Sequence, residues 1–120
     1  MIMERVSFIT TEEADDLIVA FAIEDAEPDE VKSLILLRTP KYEFALEDHE
    51  RGVNVSHDDQ LEIEDDLLCR ISLAPGLVTI DTKYNRYELD VARVDREKLE
   101  KACTVLRKMN FDDRFTLALA

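Results

Sequence analysis

Only one stretch of this 120-residue chain repeats with helical spacing. Leu99, Ala102, Cys103, Leu106 and Met109 fall on one side of a helix over Asp95–Met109. Asp95 suits the N-cap, Glu97 the first turn, and Arg107 and Lys108 the last. Val94 and Leu99 occupy the two positions of a hydrophobic staple, and Asn110 can close the helix. Nearly everywhere else the apolar residues alternate or run on without a break, as strands require. Met3 to Thr10 alternates, Leu17 to Ile23 is continuously apolar, and Val31 to Arg38 ends before Thr39-Pro40. Leu17 to Ile23 reads as a central strand covered on both faces. Gly52–Ser56 predicts a short strand in the otherwise polar stretch Lys41–Asp66. Leu67 to Leu73 and Leu77 to Lys83 flank Ala74-Pro75-Gly76, a hairpin turn in which proline presets φ and glycine accepts φ > 0. Tyr87–Val91 adds a strand, and Phe115, Leu117 and Leu119 alternate as a last edge strand. The expected fold class is therefore α+β. It has a mostly antiparallel sheet of about six to eight strands, with one C-terminal helix packed on a face.

Two glycines and three prolines leave little room for a linker, so residues 1–120 read as a single domain. Thr11–Asp16 and Glu24–Glu30 read as polar connections. The longest apolar run, Leu17–Ile23, is far too short for a bilayer span, and Met1-Ile2-Met3-Glu4-Arg5 lacks the pattern of a secretory signal. A cytoplasmic protein with reduced thiols is expected. Cys69 and Cys103 fall on predicted core faces, so both are expected to be buried and inert.

The charge is lopsided. Residues 1–66 hold 20 Asp and Glu against 5 Lys and Arg, a net of −15, whereas residues 67–120 carry a net of +2. Such a field repels nucleic acid and anionic membrane; it attracts and steers a basic protein. Solubility alone does not require the asymmetry.

Motifs for chemistry are sparse. Gly52 and Gly76 stand far apart, with no phosphate-cradling loop between them. Ser56, His57 and Asp58 are neighbours in sequence, which is not evidence for a triad whose members meet through the fold. His49 and His57, with Asp48, Glu50, Asp58 and Asp59, contain the ligand types of a mixed metal site but no diagnostic spacing. Two exposed histidines in an acidic loop are expected instead. Glu62, Glu64 and Asp66 share a face if extended, yet no aromatic cluster marks a cleft between carboxylates. No catalytic residue, metal or cofactor is expected.

Leu34-Ile35-Leu36-Leu37-Arg38, followed by Asp48-His49-Glu50-Arg51-Gly52-Val53-Asn54-Val55, resembles the immunity protein 10 family of bacterial polymorphic toxin systems. Asp48 and Gly52 match its Asp-x-x-x-Gly element, Glu62 to Ile80 its strand pair, and Asp95 to Met109 its terminal helix. Arg51 stands where that family carries an apolar residue, and Val53-Asn54-Val55 replaces its aromatic pair. The resemblance implies an immunity protein, and the charge gives the sign of its partner: a basic toxin domain, neutralised by occlusion. The expected partner-binding residues are Glu47, Asp48, Glu50, Asp58, Asp59, Glu62, Glu64 and Asp65. A small acidic chaperone for a secreted effector is the alternative, and a metal-dependent or hydrolytic enzyme the third. The oligomeric state stays open, a dimer included.

Overall fold

A computed structural model describes residues 3–24, 31–60 and 66–119. Its strands are β1 (Glu4–Glu13), β2 (Leu17–Glu24), β3 (Val31–Arg38), β4 (Asn54–His57), β5 (Leu68–Ala74), β6 (Leu77–Thr82), β7 (Arg86–Asp90) and β8 (Thr116–Leu119); the helix α1 spans Arg96–Met109. The eight strands form one mixed sheet in the order β4-β3-β2-β1-β7-β6-β5-β8. Neighbours pair antiparallel except β1 with β7 and β5 with β8. The fold is α+β, as the single helical repeat predicts. The residues expected as the acidic connection Glu24–Glu30 lie outside the described set from position 25.

The sheet turns back on itself. Beyond its edge position, β4 meets the residues entering β5: the Val55 N–H donates to the Asp66 carbonyl and the Leu68 N–H to the Val53 carbonyl, both at 2.9 Å. The enclosed side holds one apolar core, including Val19, Phe21, Leu34, Leu36, Ile71, Ile80 and Leu89. α1 lies over β1 and β2 and fills this side with Ala102, Val105, Leu106 and Met109. Leu99 and Cys103 border that stripe as partly buried residues, and Val105 joins it. Asp95 holds the N-cap position without a side-chain cap bond; its backbone carbonyl accepts from Lys98 and Leu99. Asn110 closes the helix and also pins the chain's return, exchanging hydrogen bonds with the Phe115 backbone through Nδ2 and Oδ1.

Four expectations need correction. Thr11–Glu13 is strand, paired with Val19, Ile18 and Leu17, so the turn shrinks to Ala14–Asp16. β2 is covered only in part on its second face: Val19, Phe21 and Ile23 are buried, and on the other side Ala22 is buried while Ile18 and Ala20 stay partly exposed. His57 is buried, as described below. Cys69 is exposed. Its displacement has a local cause, a register irregularity in β5 between Leu68 and Arg70. The irregularity places Leu68 and Ile71, three residues apart, in the core and turns the thiol between them outward. A matching irregularity between Val6 and Phe8 puts Val6 and Ile9 inside and leaves Phe8 exposed.

The two thiols should therefore behave differently. Cys103 is half-buried, and burial pushes its pKa up. In the native protein, maleimide or disulfide reagents should label Cys69 rapidly and Cys103 only on unfolding. Equal labelling of both thiols would contradict the bulge.

Candidate functional site

The acidic residues expected to face a partner divide into two groups around β4. Glu47, Asp48 and Glu50 precede it on a short 3-10 turn, and all are exposed. The Glu50 carboxylate accepts the Glu47 N–H at 3.4 Å. Asp48 receives the Arg114 guanidinium at 2.6 Å, with its side chain still largely exposed. His49 is exposed, as expected, and lies 3.9 Å from Glu50. Asp58 and Asp59 follow β4 on a second 3-10 turn. Asp58 accepts the Ser33 N–H at 3.0 Å, and Asp59 takes the Lys32 ammonium at 2.9 Å. That ammonium lowers the Asp59 pKa. Residues 51–57, the last four of them forming β4, separate the two groups. Glu62, Glu64 and Asp65 lie outside the described residues.

Next to the second group, the chain buries a histidine that the sequence pattern placed in solvent. His57 is 3% exposed and stacks on Tyr87, with ring centroids 5.3 Å apart and an interplanar angle of 1°. Its Nδ1 accepts the Asp59 N–H at 3.0 Å, and its Nε2 faces the Glu4 carboxylate at 3.0 and 3.1 Å. Because a backbone N–H can only donate, Nδ1 is the acceptor and the Nε2 proton goes to Glu4. Both ring nitrogens are thus engaged in tying β1, β4 and the following turn together. Burial, with Asp66 and Glu4 adding to it, pushes the Tyr87 phenol up to about 12. A cleft of about 850 Å³ opens over this pair. The carboxylates of Glu4, Glu24, Asp59 and Asp90 outnumber the cations of Arg5 and Lys32 around it.

Asp66, outside the set expected to face a partner, is 3% exposed. Its carboxylate accepts the Thr82 hydroxyl at 2.8 Å, the Tyr84 N–H at 2.9 Å and the Asn85 amide at 3.1 Å. It therefore braces the β6–β7 turn rather than serving a partner.

The densest polar cluster lies near the first acidic group. Arg38 ends β3 on its buried side, where Leu34 and Leu36 precede it, and is 1% exposed. Glu43 takes its Nε and Nη2 at 2.7 and 2.8 Å, Asp112 takes Nη1 and Nη2 at 2.8 Å, and the Met109 carbonyl takes Nη1 at 2.7 Å. All five guanidinium N–H groups are satisfied. The Phe111 ring covers the guanidinium at 4.1 Å. One side chain thus joins the end of β3, the 3-10 turn Pro40–Ala45 and the end of α1. Burial alone would lower the Arg38 pKa, but Asp112 and Glu43 outweigh it and raise it.

Hydrogen bonds from Arg38, and then from Arg114, hold the Asp112 carboxyl far below the usual carboxylate range, against the opposing effect of burial. A depressed folded pKa gives stability that is fully present above the unfolded value near ~3.9 and lost as pH falls through the folded value. The unfolding temperature should therefore drop steeply below about pH 4, and less steeply in Asp112→Asn, which has no carboxylate to protonate there. Parallel acid profiles for the two proteins would contradict this linkage.

No protein-family model matches this chain, and no curated protein or solved structure matches it significantly. Among the described residues, no helix is long and apolar enough to cross a membrane.

Proposed function

We propose that this chain is a non-catalytic acidic binding protein of the immunity type, acting in the cytoplasm, which neutralises a basic toxin domain by occluding its cationic surface. The observation that carries this reading is the exposure of Glu47, Asp48, Glu50, Asp58 and Asp59 on both flanks of β4, within the half of the chain that bears net −15. These carboxylates would pair with the Lys and Arg side chains with which a toxin holds phosphate, and the wider field would speed encounter. The resemblance to the immunity protein 10 family at Asp48 and Gly52 points the same way. The engagement of both His57 nitrogens supports a folding role for that residue rather than an acid–base one.

Exposed aromatic side chains at Tyr42, Phe44 and Phe111 favour a second reading, a chaperone that covers apolar surface on a secreted effector. Capture from the native host separates the two. The tagged chain, washed with rising salt, should release one basic protein as ionic strength climbs. A secreted effector retained through high salt would favour the chaperone, as would a chain that is itself a homodimer in solution.

A further inference from the structure

We infer that the exposed rings at the C-terminal end of α1 form the platform on which the partner's arginine side chains stack, with the neighbouring carboxylates as their counter-ions. This inference rests on the reading of the chain as the binder of a basic protein. Phe44 is 81% exposed, Phe111 61% and Tyr42 60%. Tyr42 and Phe44 flank Glu43 on one short turn, and Glu43 shares the Arg38 guanidinium with Phe111, so the two segments lie side by side. Leu46, at the end of the same turn, is also exposed.

This surface is held from below. Arg38 fixes Glu43, Asp112 and the Met109 carbonyl at once, so the platform loses little freedom when a partner arrives. One face of Phe111 already lies against a guanidinium, and the residue remains open to solvent. The buried Arg38 does not repel a second guanidinium, because the Glu43 and Asp112 carboxylates balance Arg38 and Arg114, and Asp48 on Arg114 brings the cluster to a net charge of −1. Glu47, Asp48 and Asp113 stand exposed nearby. Most of the region's own cations are engaged: Lys41 with Asp15 and, at 5.5 Å, with the Tyr42 ring, Arg51 with the Leu46 carbonyl, Lys108 with Glu13, and Arg114 with Asp112 and Asp48, while Arg107 stands exposed in the last turn of α1. Aromatic faces with carboxylates beside them suit a planar guanidinium better than a compact, strongly hydrated ammonium.

The test is a titration of the isotope-labelled chain, at low salt, with a short peptide of alternating arginine and leucine and with its lysine counterpart. Amide shifts should cluster at residues 42–48 and 111–114. Tyr42→Ser with Phe44→Ser should weaken the arginine peptide about tenfold, and Phe111→Leu should weaken it in the same direction. Both serine replacements fall at exposed positions, so thermal unfolding should be unchanged. Binding that shifts Glu4, His57 and Tyr87 instead would move the site to the cleft, overturning the platform while the basic-partner reading stands. Equal affinity for the lysine peptide would overturn stacking as the mode of recognition. Absence of binding by either peptide at low salt would overturn both the platform and the reading beneath it. A homodimer that the serine replacements dissociate would assign the rings to a second copy of this chain, which also overturns the platform.

Discussion

Arg38→Met should lower the unfolding free energy by about 3–5 kcal/mol, the cost of breaking a buried ion pair from one side. Methionine fills much of the volume but leaves Glu43, itself 8% exposed, without its bidentate partner. It also removes the donor to the Met109 carbonyl at the end of α1 and the clamp on Asp112. For a chain of this length the unfolding temperature should fall by more than about 10 °C. Arg38→Lys should lie between the two, because an ammonium keeps the charge but cannot present the fork that two carboxylates and a carbonyl now share. Adding Glu43→Leu to Arg38→Met should recover part of the loss by removing the stranded carboxylate. Thermal unfolding of the three variants beside the parent is sufficient. A loss below about 1 kcal/mol for Arg38→Met, the range of a surface pair, would mean that the cluster is solvated.

The second large effect concerns association. Glu47→Gln, Asp48→Asn, Glu50→Gln and Asp59→Asn together should slow association with the captured basic partner about tenfold or more at low salt and flatten its dependence on ionic strength. All four side chains are exposed, so the unfolding temperature should move little. Stopped-flow mixing at several salt concentrations reads both the rate and its slope. Because the described acids lie in two groups, variants restricted to Glu47, Asp48 and Glu50 or to Asp58 and Asp59 tell which flank of β4 faces the partner. Association unchanged in the fourfold variant would remove these carboxylates from the interface.

The fold class was legible because periodicity reports burial directly. One helical stripe and several alternating runs leave little choice but a sheet with a single helix. Alternation failed where the backbone departs from it. Irregularities near Ser7 and Cys69 place residues three apart on the same side, and so the exposure of Phe8 and Cys69 could not be read from a strict two-residue repeat. Two buried polar residues did carry a signal. Arg38 continues the inward register of Leu34 and Leu36, and His57 that of Val53 and Val55. The acidic residues around His57 made its position look solvated. The partners of Arg38 and His57 could not be seen at all: Asp112 lies 74 positions from Arg38, and Glu4 lies 53 from His57. The acidic segment was visible as composition, but its division into two flanks depends on where β4 runs, and the role of Asp66 on a turn far along the chain.

Growth of cells that express the captured basic partner, with and without this chain, tests the central claim most directly. Occlusion predicts that the partner alone arrests growth and that co-expression restores it. The fourfold charge variant, although folded, should restore growth poorly. A partner that is harmless alone, or one that still arrests growth when the parent chain is present and bound, would contradict neutralisation by occlusion.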